Sequence, residues 1–140
     1  MTGEFEGLEE LVNVARSVIG NSYSPYSRFR VASVVRDVKG RIYHGVNVEN
    51  ASYGLTVCAE RVAIFTAVAN GARHIRELLV ASETDEPVPP CGACLQVISE
   101  FGDDETIIYM VSLRSGKAVK KRLSELMPHR FTKKELEAGK

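Results

Sequence analysis

The pattern of apolar and polar positions changes period several times along the chain. Apolar residues recur at helical spacing from Phe5 to Ile19, and Gly20 follows as a stop signal, so an amphipathic helix is predicted first. Residues 21–27 combine Ser, Tyr and Pro, which predicts a loop of fixed, extended shape. The next segments predict a β-hairpin, with strands at Phe29–Val35 and Arg41–Val48 around a turn at Asp37–Gly40.

Helical and extended patterns alternate in the second half of the chain. One helix is predicted from Cys58 to Ala69, closed by Asn70-Gly71, and another from Cys91 to Phe101, stopped by Gly102. Strands are predicted at Leu78–Ala81, Thr106–Leu113 and, more weakly, Ala118–Leu123. An acidic, proline-rich loop is predicted at Glu83–Pro90 and a turn at Arg114–Lys117. The chain then continues with a short helix or turn at Leu123–Pro128 and a charged helical or frayed tail from Lys133.

This order of elements predicts an α/β fold: a three-layer α/β/α sandwich with a mixed five-stranded sheet. We expect residues 1–140 to form a single domain, because a chain of this length can bury one sizeable core. Two of the predicted helices begin at a cysteine. The usual handedness of strand connections allows these helices to lie side by side, with their N-termini directed at a shared point.

Composition narrows the function classes. The chain is 44% apolar and 26% charged, as in ordinary globular proteins. Lys+Arg and Asp+Glu number 18 each, which disfavours a protein that grips a nucleic acid polymer. The N-terminus shows no basic-then-apolar signal segment, and no apolar run approaches membrane-span length. With three cysteines, an odd number, a reduced cytoplasmic setting is expected and no membrane partner.

All three cysteines fall in the segments Cys58-Ala59-Glu60-Arg61 and Pro90-Cys91-Gly92-Ala93-Cys94. A Cys-X-X-Cys pair with a third thiolate at the start of another helix is a ligand set for four-coordinate Zn²⁺ with one open position. The zinc base deaminases share this signature, including a glutamate beside the first ligand that does not bind the metal. Two plainer interpretations stay open: a redox pair, and buried cysteines that act as small apolar residues.

The chemistry assigns roles to the residues between the ligands. Three thiolates leave a zinc centre with a formal charge of about −1, which opposes acidification of a bound water. Two helix N-termini and Arg61 can offset that charge. Glu60 is expected to carry protons from the water to the substrate ring and the leaving amine. The alternatives are that Arg61 is a surface arginine and that Glu60 merely suits the helix dipole.

A polar segment, Asn47-Val48-Glu49-Asn50-Ala51-Ser52-Tyr53, precedes the first cysteine and could by itself be a polar turn. Together with the two cysteine-containing segments, it resembles the small tetrameric cytidine deaminases. The resemblance runs from Ser24-Pro25-Tyr26-Ser27 to Leu126-Met127-Pro128-His129-Arg130-Phe131. It implies hydrolysis of cytidine and 2′-deoxycytidine to the uridines and ammonia, in pyrimidine salvage. The reaction would proceed by zinc-hydroxide attack at C4.

The resemblance also implies binding roles for particular residues. Asn47 and Glu49 would bind the ribose hydroxyls, Phe29 would stack on the pyrimidine, and the Ala59 backbone would help to hold the base. Tyr53 would belong to the same binding set. Phe131 would close the site of a neighbouring subunit, which implies a homotetramer with shared sites and one zinc per subunit. Phe29 could instead be a core residue, and Phe131 could dock the tail onto its own subunit.

Two positions depart from the family pattern. Leu95 stands where an arginine usually follows the second cysteine of the pair, so Arg61 and the helix N-termini must offset more of the sulfur charge. Pro89 replaces a small hydroxyl residue, although its backbone carbonyl can still receive the leaving amine.

Other functions remain in competition at this stage. One is deamination of another cytosine compound such as blasticidin S, and another is editing of RNA or DNA, which the neutral charge disfavours. A third is a non-catalytic module stabilised by zinc. A structural site is expected to use four protein ligands, whereas His44, His74 and His129 are remote in sequence from the cysteines.

Overall fold

A computed structural model describes residues 5–139 and contains a five-stranded sheet in the order β2-β1-β3-β4-β5. The β3–β4 pair is parallel and the other neighbouring pairs are antiparallel, which confirms the predicted mixed sheet. The strands are β1 Val31–Asp37, β2 Ile42–Val46, β3 Ile75–Ser82, β4 Ile107–Ser112 and β5 Ala118–Arg122.

Helices cover both faces of this sheet, as the sequence predicts. They are α1 Leu8–Val18, α2 Ala59–Ala69, α3 Gly92–Phe101, α4 Leu123–Leu126 and α5 Lys133–Ala138, with short 3₁₀ turns at Ile19–Asn21 and Tyr53–Leu55. None of the helices in residues 5–139 combines the length and the apolar character needed to cross a bilayer.

The sheet separates two hydrophobic cores. Leu11 and Ala15 of α1 pack in one core, which also contains Leu79 of β3. Ile64 of α2 and Ile98 of α3 pack in the other core, with further residues of the same strands. Because successive side chains of a strand point to opposite faces, each central strand contributes to both cores. The three-layer arrangement follows, with α2 and α3 together on one face.

Two strands continue beyond a predicted end, whereas β2, β4 and β5 are one to three residues shorter than the predicted segments. β1 begins at Val31 rather than Phe29 and continues to Asp37. β3 is longer than predicted at both ends. The extension is polar: Arg36 pairs with Glu77 across the two strands, both in backbone register and through an ion pair. An apolar pattern does not reveal pairing that continues through charged residues.

Strand β2 is in close contact with α2 at Gly45. A Cβ atom added there would lie 2.4 Å from the backbone nitrogen of Ala63 and 2.9 Å from the carbonyl carbon of Val62. Both contacts are with backbone, which cannot rotate away as a flexible side chain can. Glycine is therefore required for α2 to lie against this strand.

We expect Gly45→Ala to lower the free energy of unfolding by about 1–3 kcal/mol through overpacking. Denaturant titration measures this as a lower midpoint. Gly20→Ala is the matched control, because a Cβ at Gly20 would meet no atom within 4 Å. Equal midpoints for the two variants would contradict the close approach.

Candidate metal centre

The three cysteines converge where α2 and α3 begin. Cys58 and Cys91 are the N-cap residues of the two helices, in extended conformations with φ −70° and ψ 153° for the first and φ −73° and ψ 169° for the second. Cys94 lies one turn further along α3. The sulfur atoms all lie within 4.8 Å of one another. The predicted meeting of the two helix N-termini is thus confirmed.

The spacing of the sulfur atoms fits a metal ion. Cys58 Sγ lies 3.9 Å from Cys91 Sγ, and Cys91 Sγ lies 3.5 Å from Cys94 Sγ. Three sulfurs on a tetrahedral Zn²⁺ with bonds of about 2.3 Å would be about 3.8 Å apart. Disulfide-bonded sulfurs are only about 2.05 Å apart, and all three cysteines are free. The geometry therefore favours a metal site over an oxidised pair.

The cluster contains three potential ligands. Among residues 5–139, the only group of at least three His, Cys, Asp or Glu side chains able to hold a metal is formed by these cysteines. The group found among the described residues contains no histidine. The Nε2 atom of His74, for example, lies 3.0 Å from Asp103 Oδ2. Three protein ligands leave a fourth position for water or substrate, as in catalytic zinc sites.

Arg61 contacts the sulfur cluster rather than extending into solvent. Its Nη2 donates to Cys58 Sγ at 3.5 Å. Hydrogen bonding to Cys94, and then to Arg61, lowers the pKa of Cys58 to about 5. Hydrogen bonding to Cys58, together with burial, raises the pKa of Cys94. Within the described residues the buried Nε of Arg61 has no hydrogen-bond partner. Arg61 therefore stabilises a thiolate at the start of its own helix.

Glu60 is buried beside the cluster, with 4% of its surface exposed. Burial, reinforced by the neighbouring charge of Cys58, raises the pKa of its carboxyl group to about 7. A carboxyl group with a pKa near the working pH both accepts and releases protons readily. The burial and raised pKa of Glu60 are thus compatible with the acid–base role expected from the sequence.

A cavity of about 300 Å³ adjoins the cysteines. Its volume lies at the lower end of the range for small-molecule sites. Seven of the residues predicted for the site come together in its wall, namely Phe29, Asn47, Glu49, Cys58, Ala59, Glu60 and Cys91. Phe29 is 42% exposed, so its interpretation as a core residue is wrong.

Two of the residues predicted to bind the substrate lie outside this cavity. Tyr53 is 75% exposed and lines a neighbouring cavity with Tyr26, whose ring it meets edge-on at 6.1 Å between centroids. Phe131 is 59% exposed, while its backbone carbonyl accepts a bond from Gln96 Nε2 of α3 at 2.8 Å. The tail is thus attached to its own chain through the backbone, and the Phe131 ring remains exposed.

Asn47 supports the cavity wall from within. It is 7% exposed, and its Nδ2 donates to the carbonyl oxygen of Phe29 at 2.8 Å. Its Oδ1 accepts from the backbone N–H of Val31 at 3.0 Å and from the hydroxyl of Ser22. An amide oxygen has two lone pairs, so both are used, and one amide hydrogen is left for a further acceptor.

Sequence reasoning missed several residues of the cavity wall. Ser27, Val31, Thr56, Val80 and Val88 also line it. The valines give no chemical signal, because apolar strand and loop residues usually belong to a core. Ser27 ends the segment Ser24-Pro25-Tyr26-Ser27, and its hydroxyl two residues before Phe29 is the one signal in the sequence for a polar group at this point.

Comparison with known proteins relates this geometry to one family. Residues 6–110 match the family described as the cytidine and deoxycytidylate deaminase zinc-binding region. A cytidine deaminase from Sporosarcina psychrophila is 40% identical over 129 residues, covering 92% of this chain and 94% of the relative. The crystal structure of cytidine deaminase from Burkholderia pseudomallei has a TM-score of 0.83 and 37% identity, covering 94% of this chain and 100% of that chain.

A relative with a different name also matches. A blasticidin-S deaminase from Bacillus cereus is 32% identical over 132 residues, covering 89% of this chain and 91% of the relative. The cytidine deaminase from S. psychrophila is more similar in sequence.

Proposed function

This chain belongs to the zinc-binding cytidine and deoxycytidylate deaminases, and from that premise we propose that it hydrolyses cytidine and 2′-deoxycytidine to the corresponding uridines and ammonia. The observation that carries the proposal is the buried carboxyl of Glu60, with its pKa raised to about 7, in the wall of the cavity that also contains Cys58 and Cys91. A small cavity next to a cluster of three cysteines suits a free nucleoside better than a polymer.

We propose Cys58, Cys91 and Cys94 as the ligands of one zinc ion per subunit. When bound, zinc acts as a Lewis acid that brings the pKa of a coordinated water towards 7. The N-termini of α2 and α3 place partial positive charge next to the sulfurs, and Arg61 adds a full charge. These groups replace the charge that the family arginine would supply at the position of Leu95.

Glu60 carries both protons of the attacking water in this proposal. Its carboxylate accepts one proton as the water oxygen bonds to C4 of the pyrimidine, and it delivers that proton to N3. It then transfers the second proton from the new hydroxyl to the C4 amine, and the C4–N bond breaks to release ammonia. Oxygen from water remains as the C4 carbonyl of uridine, so atoms and charge balance.

Residues of the cavity wall hold the nucleoside. The ring of Phe29 stacks on the pyrimidine, the backbone of Ala59 helps to hold the base, and Asn47 and Glu49 bind the ribose. The one uncommitted amide hydrogen of Asn47 suits a ribose oxygen as its acceptor. Tyr53 lies further out, where it can cover the sugar side of the site.

We further propose that the protein is a homotetramer in which Phe131 closes a neighbouring subunit's site. Two observations support this: the Phe131 ring is exposed and does not line the cavity of its own chain, and its backbone is tied to α3 through Gln96. Three free thiols suit a reduced cytoplasmic setting. Conversion of cytidine to uridine there places the reaction in pyrimidine salvage.

An assay of ammonia release by the purified protein tests the proposed function. Cytidine, 2′-deoxycytidine, adenosine and blasticidin S are compared at equal concentration, with zinc content measured on the same sample. We expect rapid release from both cytosine nucleosides and none from adenosine. Faster release from blasticidin S than from cytidine would transfer the assignment to the blasticidin-type activity.

We expect Glu49→Ala to raise the KM for cytidine by about 10- to 100-fold, because hydrogen bonds to a charged group are lost. Free cytosine lacks the ribose, so its kcat/KM should fall by a much smaller factor of about 5, through the backbone of Tyr26 and Ser27 that Glu49 holds. Steady-state kinetics with both substrates measure the difference. Glu9→Ala, at an exposed position of α1, is the control and should change neither value. Equal losses for the two substrates would refute a ribose contact.

A further inference from the structure

We propose that Ser27 is a positioning residue that joins the sugar-binding carboxylate of Glu49 to the base-binding ring of Phe29. Through this link, the two halves of the nucleoside are recognised together rather than independently. The inference rests on the proposed function, since it concerns the same cavity.

The hydroxyl of Ser27 bonds in two directions. Ser27 Oγ donates to Glu49 Oε2, and the same oxygen accepts from the backbone N–H of Phe29 at 3.0 Å. A hydroxyl that donates to a carboxylate becomes a better acceptor for its other partner, because hydrogen bonds in a chain polarise one another. Glu49 and Phe29 are thus connected through one side chain.

The same carboxylate also organises the backbone of the loop. Glu49 Oε1 accepts from the N–H of Tyr26 at 3.0 Å and from the N–H of Ser27 at 3.1 Å. The Ser27 bond is the main reason that the pKa of Glu49 is lowered, so the group remains an ionised acceptor. A carboxylate offers about four lone-pair directions. With three donors in place, Glu49 can accept one ribose hydroxyl without losing its hold on the loop.

The backbone after Ser27 has an unusual conformation. Arg28 has φ 59° and is the only non-glycine residue with positive φ among residues 5–139. Its N–H donates to the carbonyl of Ser24 at 2.9 Å. Such a conformation is unfavourable for a residue with a Cβ atom and persists where surrounding contacts fix it. Here it turns the N–H of Phe29 back towards the hydroxyl of Ser27.

Phe29 is therefore held from both sides. Its N–H is bonded to Ser27, and its carbonyl oxygen is bonded to Asn47. Ser27 precedes Phe29 in the sequence, and Asn47 follows it. Ser27 and Glu49 also line both the main cavity and the neighbouring cavity that contains Tyr53. A change at the sugar position is thus transmitted to the base position over a path of two hydrogen bonds.

The test is a double-mutant cycle on kcat/KM for cytidine and for free cytosine, with Ser27→Ala, Glu49→Ala and the double variant. We expect Ser27→Ala to lower kcat/KM for cytidine by about 30-fold, mainly through KM, and that for cytosine by about 5-fold, because the loss includes a bond to a charged group. In the Glu49→Ala background, Ser27→Ala should cost cytidine only the about 5-fold seen with cytosine, since no carboxylate remains to be linked.

Two further variants test whether Ser27→Ala acts only by disturbing the fold. Ser27→Thr retains the hydroxyl and should restore kcat/KM for cytidine to within about 3-fold of the wild type. Ser17→Ala removes an exposed hydroxyl of α1 that bonds to Val14 of its own helix, and it should have no effect. The inference is overturned if Ser27→Ala costs the same factor in both backgrounds, or if Ser27→Thr is as impaired as Ser27→Ala. A wild-type protein inactive on cytidine would instead remove the proposed function, and the inference with it.

Discussion

Glu60→Gln should reduce kcat for cytidine by about 10³- to 10⁴-fold while zinc content and fold remain those of the wild type. Glutamine is nearly the same size as glutamate and can fill the same buried position, but it cannot accept the proton of the attacking water. Ammonia release and zinc content are measured on the same preparation. Glu100→Gln makes the same change at an exposed position of α3 and should leave kcat unchanged. A Glu60→Gln variant within tenfold of wild-type turnover would exclude Glu60 as the proton carrier.

The Glu60→Gln substitution should also change how the free energy of unfolding depends on pH. Burial raises the pKa of Glu60 to about 7, above the value near 4.3 expected in the unfolded chain. The folded protein therefore binds this proton more tightly, and its stability falls as the pH rises from about 4.3 to about 7. Glutamine carries no charge and avoids that loss. At pH 8, Glu60→Gln should be at least as stable as the wild type in denaturant titration.

Removing the metal should abolish activity completely and reversibly, while the sheet stays folded. Neither hydrophobic core cluster contains a cysteine. Of the three cysteines, only Cys94 is buried. We therefore expect dialysis against a chelator to eliminate ammonia release and preserve the far-ultraviolet circular dichroism spectrum. One equivalent of zinc per subunit should restore turnover.

Cys94→Ser provides the companion experiment, because it removes one sulfur ligand and changes the volume of the side chain only slightly. It should bind zinc much more weakly than the wild type and recover no comparable activity after zinc is returned. Unfolding upon chelation would instead identify the metal as a structural element. Full turnover without zinc would remove the metal from the reaction.

The sequence predicts the metal centre well because its determinants are local. Cys58 and Cys91 each stand directly before a segment with helical apolar spacing, and each is the N-cap of the observed helix. The fold class is confirmed for a similar reason: the order of helices and strands permits few three-layer arrangements. The family implied by the resemblance is likewise confirmed by the comparisons.

The parts that were missed depend on contacts between distant segments. Phe29 is predicted as the start of a strand because it adjoins apolar residues. In the structure it lies in a loop, bonded to Asn47 and to Ser27, whose hydroxyl is itself held by Glu49. Strand β3 is longer than the apolar pattern predicts, because Arg36 and Glu77 extend its pairing with β1 through opposite charges. Neither partner can be recognised from the hydrophobic pattern of its own segment.

The division of the interior by the sheet has a consequence for how such a protein can adapt. The cysteines and Glu60 lie at the start of helices on one face, while α1 seals a separate core on the other. We therefore expect substitutions beneath α1 to change the melting temperature with little effect on the groups proposed to react. A lineage that moves to a hotter or colder habitat can adjust its thermal range in one half of the molecule and keep its chemistry in the other.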